Sequence, residues 1–570
     1  MKIYYLLPFL ILSCKGTPDK EPIVLEPSEK PEIVKAVIAD SAMVVSARRE
    51  ASQIGIDILK NGGNAFDAMV GTHMALALTF PNAGNLGGGG FMVYRSEYGE
   101  IGSLDFREKA PMAATKNMYL DEAGNFVPEM STEGGLAVGV PGTVAGIFAV
   151  HEKFGSLPIE IILQPVIDLA NKGYVVTEKQ SRRLAHHREN IMRINGGASL
   201  FTKEFQAGDT LRNPALAKTL HRIASTGKSE FYRGETAAIM VQYLKEKGGI
   251  MTMEDLELYE VVWRDPIVFE YDDMKIISMG PPSSGGIALA QIFNMLQPYN
   301  LKDYEHNSKE YIQLLTEIER RAYADRSEYL GDPDFVEIPV DLLLDSDYLA
   351  KKMNSFSFDK ATPSKELKPE STPVREKMET THYSIVDSFG NAVSVTTTLN
   401  GSYGSKLYVP ELGFFLNNEM DDFSAKPGTP NMFGLTGGEA NAIAPQKRML
   451  SSMTPTIVEK DGKLFMVLGT PGGSTIITSV LQTILNVTVF DMDMQEAVTA
   501  LRFHHQYLPD VVFYETDAIA PEVIQELEAL GYHFDESMPE MGKVDAIKIR
   551  RDRKLEGGAD QRGDDTAVGY

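Results

Sequence analysis

Residues 378–400 read METTHYSIVDSFGNAVSVTTTLN. Two strand-like runs flank Ser388-Phe389-Gly390, a three-residue loop whose closing glycine suits the left-handed position of a hairpin turn. Pairing Asp387 with Asn391 sets Thr380 opposite Thr398, where two hydroxyls can share a hydrogen bond. Such a pair is usually plain strand decoration. What sets this one apart is its upstream neighbour. Residues 358–379, FDKATPSKELKPESTPVREKME, hold ten charged residues and three prolines in 22 positions, and read as an exposed, mobile strap. Either an ordinary strand follows an ordinary linker, or a chain is meant to begin at Thr380. A threonine hydroxyl is a poor nucleophile without a base beside it. At a chain's N-terminus its own α-amine, with a pKa of about 7.7–8.0, can be that base. The second reading therefore requires scission between Glu379 and Thr380.

The bulk composition sets the frame. The chain has 570 residues, 43% of them hydrophobic and 9% aromatic, which is globular and too long for one small core. Its formal net charge of −24 argues against nucleic acid as a partner. The only cysteine is Cys14, so neither an intrachain disulfide framework nor a Cys-rich metal site is available. It closes MKIYYLLPFLILSC, a basic residue and then an apolar run too short to span a bilayer, which reads as a signal peptide over residues 1–13. The ILSC end resembles the lipobox of bacterial lipoproteins, with Cys14 as the lipidated residue; a plain secretion signal is the alternative. Residues 14–35 then form a Pro- and charge-rich tether. The expected location is periplasmic or at the cell surface as a lipoprotein, otherwise secreted.

Further motifs bear on acyl chemistry. LFMVLGTPGGSTIITSVLQTIL (464–485) reads as strand, glycine pair and apolar helix, so the N–H groups of Gly472 and Gly473 would face outward to hold developing negative charge. Taken alone, a tight turn that merely needs glycine explains it as well. Ser451 and Ser452 precede another strand in QKRMLSSMTPTIV. Asn417, Asn418, Glu419, Asp421 and Asp422 cluster before a Gly/Pro-rich loop, without the spacing of a calcium-binding loop. Other features read as structural. NLGGGGFMVY lacks the lysine of a phosphate-binding loop and signals close backbone packing. His504-His505 has no metal-ligand spacing. SFDK (357–360) has the spacing of a Ser–Lys acylase without its companion motifs. His382 shares a strand face with Thr380 and stays open as a conventional base.

In order and spacing, TTHYSIVD, TTTLN, NNEMDDFSAKPGTPN, LSSMTPTIV and GTPGGSTIITSV resemble the small subunit of γ-glutamyltranspeptidases (glutathione hydrolases), which are N-terminal-nucleophile hydrolases. NGGNAFDA, NLGGGGFMVY, LDFREKAP, GVPGTVAG, PPSSGG and YADRSEYLGDPDF resemble the large subunit, and DQRGDDTAVGY the family's tail. The resemblance spans residues 36–570. It implies a four-layer αββα sandwich built from two autoprocessed segments: a large one, 36–379, and a small catalytic one, 380–570, held as a heterodimer. Thr380 matches the nucleophile that frees itself from Glu379, Thr398 its hydrogen-bond partner, and Gly472 and Gly473 the oxyanion hole. Arg107, Ser451 and Ser452 match the clamp on the substrate α-carboxylate, and Asn400, Glu419 and Asp422 the ammonium side. Residues 427–438 match the lid, with Phe433 where many members carry a gating tyrosine. Glutathione and other γ-glutamyl compounds are the implied donors; water, amino acids or dipeptides are the acceptors. No metal or cofactor is implied. Two rivals remain: a cephalosporin-type acylase on the same scaffold, and a solute-binding lipoprotein that has lost catalysis.

Overall fold

The structure is a computed structural model that describes residue 1 and residues 35–366, 378–538 and 540–570. Residues 36–570 form one compact unit around two seven-stranded sheets. The first runs, in spatial order, Thr566–Gly569, Met43–Ser46, Met378–Val386, Ala392–Gly401, Gly89–Arg95, Ile101–Asp105 and Val262–Arg264. The second runs Val37–Ala39, Leu555–Ala559, Asp545–Ile549, Lys463–Gly469, Thr456–Lys460, Met274–Ser278 and Ile267–Tyr271.

Strand alternation builds the layers. Val45 and Val93 point into the gap between the sheets, with Phe91, Ile277, Ile457, Val467 and Ile547. Their neighbours Val44 and Met92 point outward onto an apolar layer that includes the helices Arg49–Lys60, Ala65–Thr79 and Ile159–Lys172. On the second sheet Val458, Met466 and Leu468 face the helices Gly285–Leu296, Lys309–Tyr329 and Ile476–Thr488. Helix, sheet, sheet and helix thus stack as the resemblance implied. Among the described residues, no helix is long and apolar enough to cross a membrane.

Segments before and after residue 379 interleave in both sheets. Met43–Ser46 pairs with Thr566–Gly569 on one side and Met378–Val386 on the other, and Val37–Ala39 pairs with Leu555–Ala559. The strap therefore does not separate two independently folded bodies. Its first part, 358–366, is also less loose than its composition suggests. The Thr362 N–H donates to Glu317 at 2.9 Å and the buried Ser364 hydroxyl donates to the Tyr507 carbonyl at 2.6 Å. Small polar residues anchor this stretch by hydrogen bonds, which a count of charges and prolines does not register. Residues 367–377 lie outside the described residues, as do residues 2–34, on which the expected signal peptide, Cys14 and nearly all of the expected tether fall.

Candidate active site

The hairpin forms in the expected register, Thr380 opposite Thr398 and Val386 opposite Ala392. Asp387 N–H donates to the Asn391 carbonyl at 3.1 Å, and Gly390 takes φ +97°, the left-handed turn position. The two threonine hydroxyls lie 3.2 Å apart and both are buried. Thr398 Oγ1 also accepts the Asn400 N–H at 2.7 Å, which holds the hydroxyl in place beside Thr380. The glycine run at 87–90 brings the neighbouring strand flush against this point. A Cβ on Gly88 would come within 2.1 Å of the Thr398 carbonyl oxygen.

His382 lies two residues along the same face, but both ring nitrogens are engaged elsewhere. Nδ1 is 2.9 Å from the Thr396 hydroxyl and Nε2 is 3.0 Å from that of Ser384. Burial pushes its pKa down to about 3, so it is a neutral packing residue with no contact to Thr380. His504 and His505 are equally structural: His504 bonds Thr478 and Gln506, and His505 bonds Asp510. Among the described residues, no group of three or more His, Cys, Asp or Glu could hold a metal.

The turn at Gly472-Gly473 packs against the strand that carries Thr380. Gly472 adopts φ +139° and Gly473 φ +52°, and a Cβ on Gly472 would meet Thr475 Oγ1 at 2.6 Å, so the turn needs glycine. A 3₁₀ turn, Gly473–Thr475, leads directly into the helix Ile476–Thr488. From the long helix Lys309–Tyr329 the Tyr323 hydroxyl donates to the Ser474 carbonyl at 2.5 Å, bracing the turn from behind.

Arg107, Glu419 and Asp422 come together as a buried ion-pair network rather than as two separate poles. Arg107 donates through Nη1 to Glu419 and through Nη2 to Asp422 at 2.6 Å. Glu108, next in sequence, is buried beside them with its carboxylate 3.9 Å from the same guanidinium. Burial works against the Arg107 charge, but the three carboxylates more than offset it and hold its pKa above the ordinary value. Burial in turn pushes Glu108 up to about 7 and Glu419 well above the carboxylate range, against the pull of Arg107. Burial thus works against ionising all three acids, while Arg107 and, at Asp422, Arg326 favour their charged forms.

Ser451 and Ser452 lie buried on the other side of the network. Ser451 Oγ accepts the Met453 N–H at 3.1 Å, and Ser452 Oγ accepts from Arg326 Nη2 at 3.0 Å. Arg326, Asp422, Asn431 and Thr436 line a narrow cleft beside the 427–438 loop. That loop is pinned to the acidic cluster: Asn431 donates to Asp422 at 2.9 Å and Met432 N–H to Asp421 at 3.0 Å. Phe433 is buried against the helix-side core, and its carbonyl accepts from Gln506 at 3.3 Å. Asn400, at φ +75°, donates to the Asn418 carbonyl at 3.1 Å and sits between hairpin and acidic cluster.

Arg326, Tyr323 and Glu108 were not singled out in the sequence, although all three lie in motifs that were. The available signal was charge inside the long helix: Glu317, Glu319, Arg320, Arg321, Asp325 and Arg326 are all buried, which only an internal polar network permits.

A family model described as γ-glutamyltranspeptidase matches residues 51–570. The glutathione hydrolase proenzyme of Escherichia coli K12 is 45% identical over 95% of this chain and 93% of its own. The Helicobacter pylori γ-glutamyltranspeptidase crystal structure aligns with a TM-score of 0.55 at 42% identity, covering 60% of this chain and 97% of that one. A Bacillus halodurans cephalosporin acylase superposes with a TM-score of 0.83 over 96% of this chain and 99% of its own, at 23% identity, a likeness of fold alone.

Proposed function

The chain belongs to the γ-glutamyltranspeptidase family, and from that premise we propose a self-cleaving γ-glutamyltransferase and glutathione hydrolase with Thr380 as nucleophile. The Thr380 hydroxyl adds to the Glu379 carbonyl and the peptide nitrogen leaves as the free α-amine, giving an ester. Water hydrolyses the ester, releasing a large segment that ends at Glu379 and a small one that begins at Thr380. The interleaved sheets support a lasting heterodimer, because strands of both segments share ladders.

In the mature site the freed amine takes the hydroxyl proton as Thr380 attacks the γ-carbonyl of a γ-glutamyl donor. Gly472 and Gly473 N–H groups hold the oxyanion, and the collapsing intermediate returns the proton to the leaving amine. Water then resolves the acyl-enzyme to glutamate, or an amino acid or dipeptide takes the acyl group. The observation that carries this reading is the buried 3.2 Å Thr380–Thr398 hydroxyl contact, on a strand against which the Gly473–Thr475 turn packs.

The charged network supports a γ-glutamyl donor over an uncharged acyl group. Glu419, Asp422 and Asn400 suit the α-ammonium, and Arg107, Ser451 and Ser452 the α-carboxylate. A binding protein without catalysis has no use for an intact Thr380, Gly472-Gly473 and Arg107 set. We further propose export through residues 1–13, with Cys14 as a lipid anchor and 15–35 as its tether, and Phe433 as an aromatic wall under the lid.

The test is the mass of the small segment during turnover of a γ-glutamyl anilide. The proposal expects a species heavier by one glutamyl group, placed on Thr380 by peptide mapping. Turnover with no such adduct in rapid-quench samples, or an adduct on another residue, would contradict it.

A further inference from the structure

Arg326 is buried, yet among the described residues it has no carboxylate within ion-pair distance. Its two described side-chain bonds go to hydroxyls: Nε to Ser284 Oγ and Nη2 to Ser452 Oγ, each at 3.0 Å. Arg107, by contrast, already holds Glu419 and Asp422. Asp422, which Arg107 already holds, also feels the Arg326 charge from beyond ion-pair distance; a guanidinium taken out of water without a direct salt bridge is costly, and it still attracts an anion arriving nearby.

The hydrogen bonds show how that charge would reach a ligand. Because Ser452 Oγ accepts from Arg326, its own proton is left to donate elsewhere. Ser284 relays the second bond, since its hydroxyl donates to the Ser451 carbonyl at 2.7 Å and its N–H to the same oxygen at 2.9 Å. Ser451 Oγ accepts the Met453 N–H at 3.1 Å, so its proton too is left to donate. One arginine thus braces Ser452 directly and Ser451 through Ser284. Hydroxyl donors backed by a buried cation form an anion site.

We infer that Arg326 is the positioning residue of the α-carboxylate pocket, orienting the Ser452 hydroxyl directly, steadying the Ser451 main chain through Ser284, and supplying, through Ser452, the charge that Arg107 divides with Glu419 and Asp422. It reaches the pocket from the helix Lys309–Tyr329, so the large segment braces, from behind, carboxylate-binding serines that lie with the nucleophile on the small one. This rests on the reading of Ser451 and Ser452 given above.

The experiment compares three anilide donors on the full, self-processed protein. γ-Glutamyl anilide carries both α-groups, 4-aminobutyryl anilide lacks the carboxylate, and glutaryl anilide lacks the ammonium. In Arg326→Gln, kcat/KM for the γ-glutamyl and glutaryl donors should fall on the order of 10- to 100-fold, with KM taking most of the change. The 4-aminobutyryl donor should change less than about threefold. A misfolded fraction lowers all three alike, so the ratio between donors is the readout. Arg326→Lys keeps the charge, cannot brace both the Ser284 and Ser452 hydroxyls, and should show a smaller loss of the same kind; it is measured in parallel in case the neutral variant accumulates poorly. An equal loss on all donors, or none, overturns the inference. A parent enzyme that does not distinguish the first two donors would instead overturn the underlying carboxylate reading.

Discussion

Replacing Thr398 by valine keeps the volume and shape of the side chain and removes one oxygen. Its described partners include Thr380 Oγ1 at 3.2 Å and the Asn400 N–H at 2.7 Å. Both Thr398 and Asn400 are 2% exposed, so water cannot take its place. The orphaned amide of Asn400 should cost about 1–3 kcal/mol of stability. The lost neutral bond to the proposed nucleophile, about 0.5–1.5 kcal/mol, should slow any step in which Thr380 attacks by roughly 2- to 12-fold. Displacement of Asn400 adds to the second effect, so the upper end is expected. Self-cleavage followed by intact mass over time, and kcat for a γ-glutamyl anilide, should both slow. Thr398→Ser, which restores the oxygen, should return both rates to within about threefold of the parent. If Thr398→Val cleaves and turns over like the parent, or if Thr398→Ser is as impaired as Thr398→Val, the hydroxyl pair has no part in the reaction.

Gly472→Ala forces an L-residue to φ +139° and a methyl to 2.6 Å from Thr475 Oγ1, and should lower kcat by about 10²-fold through displaced oxyanion donors; an unchanged kcat refutes that assignment. Tyr323→Phe frees the Ser474 carbonyl behind the same turn and should reduce kcat while leaving donor KM nearly unchanged, whereas a change in KM alone would point to a different role. His382→Gln can still reach Thr396 and Ser384, so activity should persist within a few-fold; abolished turnover in a folded protein would restore His382 as a base. Glu108 has its folded pKa raised to about 7 from an ordinary 4.5, so the native state binds the extra proton and the residue costs stability as pH rises through that window. Glu108→Gln should therefore unfold at higher urea than the parent at pH 8, with the gap closing by pH 4.5; the opposite slope would show that ionised Glu108 is a net stabiliser through Arg107.

The hairpin was readable because everything that specifies it is local: a three-residue turn, a glycine at its left-handed position and the residues on either side. The glycine pair before an apolar helix was readable for the same reason. What the sequence left hidden depends on groups brought together from afar. Val37–Ala39 meets Leu555–Ala559 across most of the chain, and no periodicity announces such a pairing. Arg107, Glu419 and Asp422 were each identified, yet their mutual ion pairing follows only once the strand end at Asp105 and the 3₁₀ turn Glu419–Asp422 meet. Arg326 is one of several buried charges on the helix Lys309–Tyr329, and only its bonds to Ser284 and Ser452 mark it as different. In the stretch 358–366, hydrogen bonds from Thr362 and Ser364 outweigh a composition that reads as loose.

The central claim is that Thr380 makes itself the first residue of a chain. Intact mass and N-terminal sequencing of the purified protein, beside Thr380→Ala, address it directly. The account predicts two fragments from the parent, the smaller beginning TTHYS, and an uncut, inactive Thr380→Ala chain. A folded parent that stays a single chain while turning over γ-glutamyl donors, or a Thr380→Ala protein cut at the same bond, would contradict it.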